Sequence, residues 1–399
     1  MSQFRYTVDV LRVANGGDAV GKLPDGKTVF VRGALPGERI EIDLVEQKKS
    51  FARGKLRKIV TPSQDRVEPG CEHSARCGGC DYWHTSYENE LSLKVNAAVD
   101  TLKRIARVEL PEPVVHGAKS HTGWRTRATL TSDRRSGNLG FVARASRHVI
   151  DIEHCPVLSE ELNAALTEIR NLPGSRAGRI FFESDGRGGV VLEGKQATEA
   201  WIRGRVHGVV GVGGKETVLA TQSHHIAPDD FEVPAGRFRQ GNTQMNHVLV
   251  QRVTELLRGS KRVLELYCGM GNFTASFADA CDAVFATDVD AAAIETLDQL
   301  VSRMNLPVET RTCDLDAEFP DFQANTMLLD PPRTGAAFAA ANVHQCGADR
   351  VVYVSCDVAT LARDIGTLAG AGFSLSQLEF VDMFPRTAHI ESIAVLTRQ

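Results

Sequence analysis

From about residue 236 the chain alternates short apolar runs with helical stretches, and this alternation restricts its fold more than any other feature. Arg262–Tyr267, Ala283–Asp288, Val308–Thr312, Thr326–Asp330 and Arg350–Ser355 read as strands, and Phe373–Met383 and Ile390–Thr397 complete the set. Phe273–Ala280 and Ala291–Asn305 read as helices between them. Such a pattern buries its apolar faces as a parallel sheet with helices on both sides, an α/β domain. The first strand runs into V-L-E-L-Y-C-G-M-G-N-F (263–273), where Gly269 and Gly271 permit a tight turn and close approach of a ligand to backbone. The third glycine of the dinucleotide fingerprint is absent. Asp288 closes the next strand, where a carboxylate can accept hydrogen bonds from both hydroxyls of a ribose.

The N-terminal part has a different grammar. Tyr6–Val13, Thr28–Val31, Arg39–Val45 and Phe51–Ile59 read as short strands separated by turn signals at Asn15-Gly16-Gly17, Pro24-Asp25-Gly26 and Leu35-Pro36-Gly37. That spacing predicts a small β-barrel. Thr61-Pro62-Ser63 makes a linker, a compact cysteine segment occupies 71–80, and Glu88–Arg107 reads as a helix. Residues 113–235 look β-rich, with Gly-rich turns at 137–140, 186–189 and 211–214. Three domains are therefore expected: a barrel over 1–61, a central domain over 62–235 and the α/β domain over 236–399.

Apolar residues at 42 % and charged residues at 24 % exclude a mainly disordered, collagen-like or low-complexity chain. No run of 18 apolar residues exists, so no membrane span is expected, and the N-terminus shows no apolar signal core, which makes the cytoplasm the expected location. The net charge of −4 hides an uneven distribution. Residues 1–60 carry a local net of +5, and 48–58 hold six basic residues with no acid; residues 100–150 carry +6. Basic patches on an acidic chain suit a nucleic acid held at particular faces, whereas the bland reading is a solvated surface. Lys48, Lys49, Arg53, Lys55, Arg57 and Lys58 are candidate phosphate contacts, with Arg125, Arg127, Arg134 and Arg135 weaker ones.

Nine cysteines, an odd number, speak against a disulfide framework. Cys71-x5-Cys77-x2-Cys80 supplies three thiolates in a tight Gly-rich run, and Cys155 in E-H-C-P-V-L is the best fourth. Four cysteines fit an iron–sulfur cluster or structural zinc, and His73, His84 and His154 leave a mixed zinc site open.

Two further motifs lie at strand ends, where open α/β sheets place ligands. Asp330-Pro331-Pro332-Arg333 follows the apolar T-M-L-L and forms a rigid, donor-poor turn. V-Y-V-S-C-D (352–357) ends the next strand on Cys356, a candidate nucleophile, although most single cysteines are simply small buried apolar residues. His389-Ile390-Glu391 adds an acid that can serve as base to that nucleophile's reaction.

Taken together, these residues resemble a known family. G-G-D-A-V-G (16–21) followed by V-F-V-R-G-A-L-P-G-E (29–38) is similar to a TRAM domain, an OB-like RNA-binding barrel. The glycine loop with Asp288 resembles the S-adenosylmethionine (SAM) site of a class I methyltransferase. F-R-Q-G-N (238–242), D-P-P-R (330–333), S-C-D-V-A-T-L-A-R-D (355–364) and H-I-E (389–391) resemble the SAM-dependent RNA 5-methyluridine methyltransferases, across nearly the whole chain. One departure is that the family usually has S-C-N-P where this chain has Ser355-Cys356-Asp357-Val358, and an acid beside the thiol is expected to raise its pKa. The resemblance implies SAM contacts from Gln240, Tyr267, Asn272, Asp288 and Asp330, a 4Fe–4S cluster on Cys71, Cys77, Cys80 and Cys155, and RNA, with 23S ribosomal RNA favoured over transfer RNA, as substrate of a monomer. Carbon 5 of uracil is a weak nucleophile, and thiolate addition at carbon 6 activates it; this assigns Cys356 as nucleophile and Glu391 as base. A non-catalytic RNA-binding protein that kept the fold is the alternative of another class.

Overall fold

The computed structural model describes residues 5–133, 135–171, 178–184, 189–193, 209–213, 221–223, 232–234 and 237–398. β1 (Arg5–Val13), β2 (Ala19–Lys22), β3 (Thr28–Val31), β4 (Arg39–Gln47) and β5 (Phe51–Thr61) close into a barrel in the order β1-β2-β3-β5-β4. Val8 and Val10, Val29 and Val31, and Ile40 and Ile42 recur at every second position and fill its interior.

After the cysteine segment, α1 (Tyr87–Ala106) begins at Ser86, whose Oγ accepts the Asn89 N–H at 3.2 Å, and stops at Arg107 in the left-handed region, φ 56°. Its apolar face, Ala98, Leu102 and Ala106, packs into the core of the C-terminal sheet. β6 (Val114–His116) then joins the edge of that same sheet. Residues 87–116, within the stretch read as central, thus belong physically to the C-terminal sheet. Helical periodicity shows that an apolar face exists but not which sheet will cover it.

The central sheet contains β7 (Arg127–Ser132), β8 (Leu139–Val142), β9 (Val149–Asp151), β10 (Gly178–Ser184), β11 (Val190–Glu193) and β12 (Val209–Gly213), in the order β12-β11-β10-β7-β8-β9. α2 (Glu160–Asn171) lays Leu162, Leu166 and Ile169 against Leu130, Ile150 and Phe182. β13 (Thr221–Ser223) and β14 (Glu232–Pro234) form a separate antiparallel pair. The turn at 137–140 joins β7 to β8, while 186–188 and 214, in the other two expected turns, lie outside the described residues.

The C-terminal part comprises α3 (Thr243–Leu256), β15 (Arg262–Leu266), α4 (Thr274–Phe277), β16 (Ala283–Asp288), α5 (Ala291–Met304), β17 (Val308–Thr312), β18 (Thr326–Leu329), α6 (Ala337–Ala341), β19 (Arg350–Ser355), α7 (Val358–Gly370), β20 (Phe373–Val381) and β21 (Glu391–Arg398). The sheet order is β17-β16-β15-β18-β19-β21-β20-β6. β17 to β19 are parallel, but β21 runs antiparallel to β19 and β20, so the expected all-parallel sheet is mixed. Only residues 382–390 connect β20 to β21, too few for the dozen or so that a parallel crossover needs. The helix expected over Phe273–Ala280 is a short α turn passing into a 3₁₀ turn at Ala278–Ala280; Asp282 and Ala283 then bond Lys261 O and draw the chain into β16. α1 and α7 cover one face of the sheet, and Met245, Leu249 and Val253 of α3 cover the other.

Candidate active site

The carboxyl ends of β15, β16 and β18 meet around the glycine loop. Tyr267 leaves β15 at φ 64°, a conformation costly for a residue with a side chain and one that marks a constrained turn. Gly271 follows at φ 88°, and a Cβ there would stand 2.6 Å from Leu297 Cδ1 of α5, so the loop can lie against that helix only with glycine. Asp288 accepts the Gly269 N–H at 3.0 Å with one carboxylate oxygen and the Asp290 N–H at 2.9 Å with the other. Asn272 exchanges amide hydrogen bonds with Asn246 of α3 at 2.9 and 3.1 Å. Beneath the loop, burial pushes Glu265 up to about 8 although Thr274 donates to it at 2.7 Å. Burial, with Asp288 adding, raises Asp330 to about 7.

Gln240 lies half-buried on a segment fastened at both ends to this edge. Arg237 pairs with Asp290 at 3.0 Å, and Asn242 both accepts the Met245 N–H, capping α3, and donates to Met383 O at 3.1 Å. Thr126 donates its N–H and hydroxyl to Gly241 O, and Arg127 donates to Arg239 O. The central sheet therefore holds this segment.

Ser355 of β19 stands opposite Ser392 of β21, so the next residues along, Cys356 and Glu391, come side by side where the two strands end. Glu391 is buried, and burial with the Asp330 carboxylate raises it to about 8 against the pull of Arg333. Cys356 is half-buried; burial first, then Glu391, raises it to about 11, and Arg333 lowers it. Arg333 faces His389 Nε2 at 3.4 Å. Its loop is pinned from behind. Ala336 N–H reaches Tyr353 Oη at 2.9 Å and Asp364 Oδ2 at 2.8 Å, Tyr353 donates to Asp364 at 2.7 Å, and Arg363 donates to Thr334 O at 3.0 Å.

Tyr353, Arg363, Asp364, Glu265 and Asn246 were not singled out from sequence. All but Asn246 lie inside quoted motifs, Glu265 in 263–273, Tyr353 in 352–357, and Arg363 and Asp364 in 355–364, so their positions carried a signal although their roles did not. Asp357 has a structural role beside the thiol: its Oδ1 accepts the Ala359 and Thr360 N–H groups at 3.0 Å as N-cap of α7. Asparagine and aspartate cap equally well, and Val358 takes the first helical position that proline favours.

Cys71, Cys77, Cys80 and Cys155 line one cavity of about 630 Å³, with His73, His154, Trp83 and Arg125 in its walls. Burial raises the thiols of Cys71, Cys80 and Cys155, Cys80 to about 12, and each also feels the charge of another of the four. Both ring nitrogens of His73 are buried without a hydrogen-bond partner. Among the described residues no three His, Cys, Asp or Glu side chains close into a group that would ligate a single ion. His84 is elsewhere, stacked near Tyr82.

The basic stretch sorts into two kinds. Arg53 pairs with Asp18 and Glu46, Arg57 with Asp43, and Lys48 with Glu46. Lys49, Lys55 and Lys58 are exposed, and no ion pair among the described residues engages them. Arg127 is committed to Glu183 and Arg239 O, Arg125 lines the cysteine cavity, Arg135 is exposed, and Arg134 lies outside the described residues. No helix among the described residues is long and apolar enough to cross a membrane.

A mixed sheet with a glycine turn after its first strand and an acid after its second, preceded by a closed barrel, defines a class I methyltransferase fold carrying an OB-like module. Residues 219–308 and 307–399 match the family described as tRNA (Uracil-5-)-methyltransferase, and residues 5–56 match the TRAM domain. The curated 23S rRNA (uracil(1939)-C(5))-methyltransferase RlmD of Vibrio parahaemolyticus is 32 % identical, with 98 % of this chain and 95 % of that protein covered. The protein of the same name from Shewanella halifaxensis is 33 % identical, covering 93 % of this chain and 91 % of its own. The chain belongs to the SAM-dependent RNA uracil-C5-methyltransferase family. A crystal structure of Pyrococcus abyssi tRNA (uracil-54, C5)-methyltransferase with S-adenosyl-L-homocysteine shares the fold, with a TM-score of 0.76 and 22 % identity over 98 % of this chain and 100 % of that one.

Proposed function

We propose that this enzyme methylates carbon 5 of a uridine in 23S ribosomal RNA through a covalent Cys356 adduct. The observation that carries the mechanism is the juxtaposition of Cys356 and Glu391 at the ends of paired strands beside Asp330 and Arg333. The RlmD relatives, matched over almost their whole length, support the ribosomal target.

The target base flips out of its stack to reach the strand ends. Cys356 reacts as the thiolate, the form that the charge of Arg333 favours: its Sγ bonds carbon 6, and the electron pair moves to give an enolate whose carbon 5 takes the methyl group from SAM; the sulfonium–methyl bond breaks and S-adenosylhomocysteine leaves. Glu391 then takes the proton from carbon 5, the carbon 6–sulfur bond breaks, and the thiolate is restored. A carboxylate raised to about 8 is a stronger base than an exposed one. Gln240, Tyr267, Asn272, Asp288 and Asp330 hold SAM in this reading, Asp288 toward the ribose.

The chain divides its work among a barrel over 1–61, a central part over 62–235 from which residues 87–116 pack with the C-terminal sheet, and the methyl-transfer part over 236–399. In this reading it works as a monomer in the cytoplasm, where its ribosomal RNA substrate is made. Cys71, Cys77, Cys80 and Cys155 hold a 4Fe–4S cluster. The four thiols line one cavity, which supports their acting together, and the choice of a cluster over zinc rests on the family resemblance of the x5, x2 spacing. The buried, unpartnered ring nitrogens of His73 line the same cavity and would supply a polar partner to whatever fills it. When bound, the group supplies structural cohesion, because methyl transfer moves no net electrons.

The test is a 5-fluorouridine ribosomal RNA fragment, which blocks proton removal. A SAM-dependent adduct stable on a denaturing gel, lost in Cys356→Ala, is expected. No adduct would refute the covalent route, and trapping by a transfer RNA alone would refute the ribosomal target.

A further inference from the structure

Four parts of the molecule meet on Asp81, the residue after Cys80. Its Oδ1 faces Arg32 Nη2 of the barrel at 3.1 Å and also bonds Arg144 Nη2 beyond β8. Its Oδ2 accepts the Ala388 N–H at 2.9 Å. Its backbone N–H and that of Tyr82 both donate to Arg386 O, at 2.7 and 3.1 Å, and Arg32 bonds Cys80 O. The side chain is only 8 % exposed.

Ala388 and Arg386 belong to the 382–390 loop that delivers Glu391. Arg386 sits at φ 69°, a backbone state that persists only where the surroundings enforce it. α1 holds the loop's other side: Glu90 accepts the Arg386 N–H at 2.6 Å, and buried Lys94 bridges Glu90 at 2.7 Å and Asp382 at 3.0 Å. Near the base, Asp81 supplies the only side-chain acceptor for Ala388 N–H among the described residues.

We propose that Asp81 is a positioning residue for Glu391, fastening the base-bearing loop to the barrel and the cysteine segment so that the carboxylate is set against carbon 5 of the adduct. The proposal rests on Glu391 being the base. Loss of Asp81 then slows proton removal, while thiol addition and methyl transfer, which need Cys356 and SAM, continue.

The test compares full-length, cluster-loaded wild type with Asp81→Ala, Asp81→Asn and Glu391→Gln, using a ribosomal RNA fragment and methyl-labelled SAM. Asn can still accept the Ala388 N–H but cannot pair as an anion with Arg32 and Arg144. Asp81→Ala is expected to turn over about tenfold more slowly, the value of one charge-assisted hydrogen bond, and to accumulate labelled adduct. Asp81→Asn should fall between it and wild type, and SAM affinity by calorimetry should stay within about twofold, since the cofactor edge is untouched. Slower turnover without adduct in Asp81→Ala, when Glu391→Gln does accumulate it, overturns the role of Asp81 alone. No adduct in either overturns the assignment of Glu391, and this proposal with it. If Asp81→Ala does not fold, Asp81→Asn decides: adduct above the wild-type level supports the proposal, and wild-type behaviour overturns it.

Discussion

Replacing Glu391 by glutamine should make the protein's stability relative to wild type rise with pH. The side chain is 2 % exposed, and its pKa stands at about 8 instead of 4.5 because burial and Asp330 disfavour the anion. At about 1.4 kcal/mol per unit, a rise of roughly 3.5 units is on the order of 5 kcal/mol when fully titrated. The folded protein binds this proton more tightly than the unfolded chain does. Its contribution is therefore complete below pH 4.5, is lost as pH rises to about 8, and changes no further above. At pH 7 roughly 3 kcal/mol has already gone. Glutamine does not titrate, so the variant's advantage should grow by about that amount between pH 4.5 and 7. Its absolute offset depends on how the buried amide is bonded, so the pH slope is the diagnostic. Urea unfolding followed by circular dichroism at pH 5, 7 and 9 measures it. Parallel wild-type and variant profiles would refute the reasoning.

Cys356→Ala should abolish methyl transfer while SAM binding by calorimetry stays within about twofold, and near-normal turnover would exclude it as nucleophile. Replacing any of Cys71, Cys77, Cys80 or Cys155 should remove the brown absorbance of anaerobically purified protein; a colourless wild type with stoichiometric zinc would refute the cluster. Neutralising Lys49, Lys55 and Lys58 should lower the slope of log affinity against log salt by about 2–3, at 0.7–0.9 per phosphate contact; an unchanged slope would show that they are merely solvated. Asp357→Asn should change stability by less than about 0.5 kcal/mol, since both residues cap α7, and should leave the pH–rate profile of adduct formation in place; a shifted profile would show that Asp357 acts on the thiol after all.

Much of the site was readable because its residues sit at fixed offsets within short motifs. Gly271 must be glycine for the loop to lie on α5, Gly269 takes a left-handed φ of 55°, and Asp288 must close β16 to hold that loop. The loop's inner supports were not readable. Asn246 meets Asn272 across 26 residues of sequence, and Asp81 meets Ala388 across 307. Arg127 shows the opposite error: it looks basic and exposed in sequence, yet it is spent on Glu183 and the Gln240 segment.

By itself the sequence determined the local grammar: the barrel's period-two strands, the strand–turn–helix around the cofactor loop, and the presence of a cysteine and a glutamate at strand ends. Each follows from sterics and patterning within a few neighbours. Tertiary structure alone decided that β21 inserts antiparallel between β19 and β20, because the length of a connection matters only once the sheet has formed. That insertion brings Glu391 to Cys356, and it raises the pKa of both by burying their charges together. Burial and the meeting of distant charges are properties of the assembled core, so the reactivity of these two residues appears only when the chain is folded.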